Sequence, residues 1–175
     1  MSRALLFRNR QRARKFDLRV LRGILESFLE NFAGRKGWEL GIHFVDGPAI
    51  KNLNETWLHH RGPTDVITFD YNDPQQPEVI AGDIFICVPE AIRHAKQFRA
   101  TWQSEIIRYI VHGVLHLSGF DDCSALERKR MKVEEDRMLH QLEREFDFRR
   151  IGGESGRKIR KSNEEVRSRF KPAKA

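Results

Sequence analysis

Two imidazoles four residues apart in an apolar run, His112 and His116 of HGVLHLSGFDD, are the groups in this 175-residue chain best spaced for chemistry. On a helix, that spacing places both on one face, close enough for two neutral nitrogens to share one ion. Gly119 can break the helix and turn the chain back, so that Asp122, six residues after His116, brings a carboxylate as third ligand. Asp121 is the other choice for that ligand, or a carboxylate that orients an imidazole or a bound water. Three protein ligands with one position left open make a catalytic zinc site, whereas structural zinc is normally closed by four. Burying two neighbouring histidines without an ion would require a separate hydrogen-bond partner for each.

The residue after His112 is Gly113. HGVLH therefore lacks the general-base glutamate of an HExxH metalloprotease helix. The H-x3-H-x2-G-x2-D spacing is similar to the metzincin arrangement with Asp in the last position, but the missing glutamate argues against peptide hydrolysis. On the residues alone, the reading stops at a metal-dependent hydrolase of unspecified substrate.

Such a site needs a rigid, buried helix. Trp102 to Leu117, with Ile106, Ile107, Ile110, Val111, Val114 and Leu115, is apolar around most of its circumference and meets that need. SALE, Ser124 to Glu127, is a capping-box pattern that opens a last helix, with Met131, Met138, Leu139, Leu142 and Phe146 on its packing side. Upstream, the apolar spacing predicts a helix over Asp17 to Phe32, and alternation predicts a half-buried strand from Trp38 to Phe44. AIKNLNETW reads as a short helix, Val66 to Phe69 and Ile80 to Val88 as strands, and Pro89 as the first turn of another helix. The expected fold is a single α+β or α/β domain over residues 1–150, a small mixed sheet covered by helices around the buried metal-site helix. From Ile151 the pattern gives way to a basic stretch, 151–175, read as a flexible tail or one ordered by a partner.

The net charge of +7 is unevenly spread. Residues 1–22 hold eight Lys/Arg against one Asp, and residues 149–175 hold ten against three Glu. The body between them carries fourteen basic and twenty-one acidic residues. Cationic ends suit a polyanion, and an acidic centre suits a cation. No segment approaches the ~20 apolar residues that span a bilayer. The basic N-terminus lacks the apolar core and small-residue cleavage site of a secretory signal. Cys87 and Cys123 have neither CxxC spacing nor disulfide-scaffold density, which fits a reduced, cytoplasmic protein without a membrane.

HGVLHLSGFDD resembles the helix-turn motif HGxLHLxGYDH of the bacterial YbeY-type rRNA maturation factors, described as zinc-dependent endoribonucleases. LNETWLHHRGPTDVITFDY is similar to their LNxxYRxxDxPTDVLSFP, and AGDIFI at 81–86 to their GDI strand. EIIRYIVHGVLHL looks like their active-site helix, and together these segments span most of residues 50–140. The resemblance implies one Zn²⁺ held by His112 and His116, with Asp122 standing where the family carries a third histidine. It also implies cleavage of single-stranded RNA, rRNA as the natural partner, and association with the small ribosomal subunit. Leu58 occupies the position of the family's active-site arginine. Arg61 is then the candidate guanidinium for phosphate, with His60 or His59 as a proton donor and Asp121 beside the metal. Two alternatives stay open: a noncatalytic ribosome-associated RNA-binding protein and a metal-dependent hydrolase of another substrate.

Overall fold

Apolar alternation and helical stripes fold into the elements that their periodicity predicts. The computed structural model describes residues 2–31, 36–59, 61–62 and 64–153. In chain order these form β1 (Arg3–Asn9), α1 (Leu18–Asn31), β2 (Gly37–Val45), α2 (Gly47–Trp57), β3 (Val66–Asp70), β4 (Val79–Cys87), α3 (Val88–Gln97), α4 (Trp102–Leu117) and α5 (Ala125–Glu145). A 3₁₀ turn over Phe148–Gly152 follows. The sheet is mixed, in the order β1-β2-β4-β3, with β1, β2 and β4 parallel and β3 antiparallel to β4. It is the small helix-covered sheet expected of an α+β domain. Strand order was not readable from periodicity.

Each strand sends alternate residues to opposite faces. From β2 and β4, Leu40, Ile42, Phe44, Ile80, Ile84 and Ile86 enter the main core with α1, α4 and α5. The opposite face is smaller: Val45, Ile67 and Cys87 pack with Ile50 of α2. Helix α4 lies in the middle, with Ile106, Ile107, Ile110, Val111, Val114 and Leu115 fully buried. A Cβ on Gly113 would meet the Ile84 side chain at 2.7–3.0 Å, so glycine permits α4 to seat directly on β4. Any side chain at position 113, a glutamate's included, would meet Ile84 first.

Folded packing continues past residue 150. Ile151 is wholly buried, and its carbonyl accepts the Asp17 amide at 2.7 Å ahead of α1. Residues 154–175, including Phe170, lie outside the described residues, as do His60 and Pro63. Among the described residues, no helix is long and apolar enough to cross a membrane.

Candidate metal centre

Helix α4 ends in a pair of backbone bonds that also prepare the site. The Gly119 amide donates to the His116 carbonyl at 2.9 Å, and the Phe120 amide donates to the Leu115 carbonyl at 3.0 Å. This is a Schellman turn, with Gly119 taking the left-handed φ of 92° that side chains resist. Phe120 packs against the core, and its carbonyl is 3.1 Å from His116 Nδ1. The group that terminates the helix thus holds the second imidazole.

His112 is held from a different direction. Its Nδ1 lies 3.2 Å from Glu135 Oε2, brought in by α5. Both acceptors require a hydrogen on Nδ1, which leaves both Nε2 lone pairs facing inward. Those Nε2 atoms are 3.1 Å apart, with the rings edge to face at 86°. Asp122 Oδ2 is 3.9 Å from His116 Nε2. Ligand atoms of His112, His116 and Asp122 all lie within 4.8 Å of one another. Two inward lone pairs and a carboxylate repel one another unless a cation sits between them, so this donor set fits a divalent metal. Burial first, and then the neighbouring His112, hold the His116 pKa below its ordinary value, leaving a neutral ligand.

The loop that delivers Asp122 is fixed at both ends. Asp121 Oδ1 accepts the amides of Asp122 and Cys123 at 2.7 and 3.2 Å. Hydrogen bonding within this turn, led by Cys123, holds the Asp121 carboxyl below its usual range. The Arg128 guanidinium donates to the carbonyls of Asp122 and Cys123 at 2.9 and 3.0 Å. Ser124 and Glu127 close the capping box that the sequence predicts.

Glu135 is a member of the site that motif spacing did not point to. It is 6% exposed and also accepts from Arg108 and Lys132. Burial alone would raise its pKa, but hydrogen bonds from His112 and Arg108 and the charge of Lys132 outweigh it and lower the value. The available signal was periodicity: Glu135 falls on the same stripe of α5 as Met131, Met138, Leu139 and Leu142. An acid in an apolar stripe is a buried charge that must have partners.

Arg61 is exposed in the α2–β3 connection, next to Gly62, whose carbonyl is held by Asn54 Nδ2 at 2.9 Å. Leu58 caps α2 and is 40% exposed. Asp65 accepts the Val66 amide at 2.9 Å and the Thr64 hydroxyl at 3.3 Å, in keeping with a local capping role. A cleft of about 680 Å³ runs from His112 and Asp122 past Arg108 and Tyr109 to Asp65 and His94.

The profile of the Endoribonuclease YbeY family matches residues 6–143. Endoribonuclease YbeY of Elusimicrobium minutum is 40% identical over 113 residues, 63% of this chain and 78% of that protein. The Chlorobium luteolum protein of the same name is 32% identical over 129 residues, 74% of this chain and 91% of that one. A solution structure from Thermotoga maritima shares the fold, with a TM-score of 0.58 at 23% identity, covering 90% of this chain and 99% of that one. A match that runs from the middle of β1 through most of α5, and takes in every residue of the His-His-Asp cluster, shows that the chain belongs to the YbeY family of endoribonucleases.

Proposed function

We propose that this protein is a zinc-dependent endoribonuclease, selective for single-stranded RNA, that acts in rRNA maturation and ribosome quality control in the cytoplasm. The observation that carries this reading is the facing pair of His112 and His116 Nε2 atoms, 3.1 Å apart, with Asp122 beside them. His112, His116 and Asp122 would hold the ion. Bound there, Zn²⁺ would supply Lewis acidity, making water or a ribose 2′-hydroxyl easier to deprotonate and offsetting charge on a phosphodiester.

The protein's own groups do the remaining work. Glu135 and the Phe120 carbonyl keep the imidazoles turned inward. Asp121 shapes the loop that presents Asp122 and adds a second carboxylate next to the site. Arg61, and His60 beside it, are assigned to phosphate contact and proton delivery. A noncatalytic RNA-binding role is the second reading, and Leu58 favours it, because leucine cannot pair with phosphate where the family has arginine.

Metal analysis together with cleavage of defined single- and double-stranded RNA separates these readings. Native protein should retain about one zinc and cut the single strand. His116→Ala and Asp122→Ala should lose both metal and cleavage, and Arg61→Ala should keep metal while cleaving more slowly. Intact RNA with fully loaded native protein would establish the binding role instead.

A further inference from the structure

Two hollows meet at His112 and Asp122, and they differ in charge. Arg128 and Lys129 of α5 line one of about 440 Å³, while Lys132 and Glu135 line both. The 680 Å³ cleft, on the α3 and β3 side, is instead lined by Glu105, Tyr109 and Asp65, with Phe98 at its rim. Its two cations are already committed. Arg108 reaches Glu135 and Asp136 at 2.5 and 2.9 Å and lies 3.8 Å from Glu105, whose second oxygen is left to accept, and Lys132 reaches Glu135 and Asp136 at 3.1 and 2.9 Å. A phosphate entering here would face Glu105 and Asp65, whereas an uncharged base carrying an amino group would find acceptors.

The donor pattern is equally specific. Arg93 can only donate, and it lies 2.7 Å from His94 Nε2, so the His94 hydrogen is on Nδ1. That nitrogen is 2.5 Å from the Tyr109 oxygen, which therefore accepts and keeps its own hydrogen to give. Glu105, Tyr109 and His112 follow one another along a single face of α4 at intervals of four and three residues. Phe98 is 67% exposed, an apolar ring with no core to fill, and its amide is anchored to the His94 carbonyl at 2.9 Å. A base can stack on such a ring.

Resting on the RNA reading above, we infer that this cleft is a subsite for one unpaired cytosine or adenine, stacked on Phe98, with its ring nitrogen facing the Tyr109 hydroxyl and its amino group facing Glu105. In that same orientation uracil and guanine present the reverse pattern, an N–H facing the hydroxyl and a carbonyl facing the carboxylate, and are disfavoured. A phosphate flanking that base then lies on the α5 side, where Arg128 and Lys129 stand, separate from the phosphate contact assigned to Arg61.

Cytosine and uracil make the cleanest contrast, since they differ in size by almost nothing. Binding of labelled oligocytidylate and oligouridylate of equal length to the full, zinc-loaded chain at neutral pH should favour cytidylate by about fivefold or more. Phe98→Ala should weaken both by about fivefold or more while preserving the ratio. Glu105→Gln and Tyr109→Phe, each checked for native thermal unfolding, should move the ratio toward one. Two variants are used because Glu105 is buried and its replacement can disturb α4. Equal affinity of native protein for the two oligomers, or a ratio unchanged in both variants, overturns the subsite and leaves the endoribonuclease reading intact. Failure to bind or cut either oligomer overturns the endoribonuclease reading itself.

Discussion

Glu135 shows how much of a candidate metal site can rest on a residue outside its set of ligands. Its carboxylate fixes the His112 ring while balancing Arg108 and Lys132. Glu135→Gln keeps the shape but exchanges a charged acceptor for a weaker neutral one, so zinc affinity should fall about 10–100-fold with folding retained. Calorimetric titration of zinc into metal-free native and variant protein reads this directly, and unchanged affinity would remove Glu135 from the site. The same residue sets a pH dependence. Glu135 and Asp136 have pKa values lowered by the fold, so their stabilisation is present above the ordinary 4.5 and 3.8 and is lost as pH falls through the folded values. Glu105 is raised, chiefly by burial, and acts with the opposite sign, its contribution fading as pH rises through its folded value. Metal-free protein should therefore lose stability in urea below about pH 4.5, less steeply in Glu135→Gln. That His112, His116 and Asp122 come together was legible because spacing along one helix and turn is written in consecutive residues. Glu135 was not, because KVEED reads as a solvated charge run until the stripe through Met131 and Met138 is followed across it.

Helix α4 makes the centre by being at once a core element and a ligand platform, and one glycine reconciles the two tasks. Gly113→Ala would place a methyl group 2.7 Å from Ile84 Cδ1, inside the contact by which α4 rests on β4. Overpacking of this kind costs about 1–3 kcal/mol. Because His112 and His116 flank that contact, the helix cannot shift without moving both imidazoles, so zinc affinity should fall together with thermal stability. A variant that loses stability but binds zinc as tightly as native protein would show that the helix tilts without disturbing its ligands. The helices, the capping box and the apolar strands were readable from period and caps, since those are local properties. The parallel pairing of β1, β2 and β4 was not, because register is decided by which faces meet across tens of residues, as Ile84 meets Gly113.

At the scale of the whole molecule, the divided charge becomes a question about reach. Residues 154–175 carry eight Lys/Arg and three Glu, whereas the site itself is rich in carboxylates. On the proposed function, long-range attraction of RNA falls to the chain ends, and local recognition to the clefts beside the candidate metal centre. Testing the C-terminal end requires a cut in the right place. Ending the chain at 150 would remove Ile151, which is buried and accepts the Asp17 amide, and would destabilise the start of α1. Ending it at Gly153 keeps that anchor and the left-handed cap after the 3₁₀ turn. The 1–153 chain should bind zinc and unfold as the full chain does, while its affinity for single-stranded RNA depends less on salt. For every phosphate that the shortened chain no longer neutralises, the slope of log affinity against log salt should flatten by about 0.7. Cleavage at saturating RNA should be unchanged, since the tail is assigned to capture alone. Equal salt slopes for the two chains would place all the electrostatic attraction on the folded body, with Arg128, Lys129 and the basic β1 edge as its remaining sources.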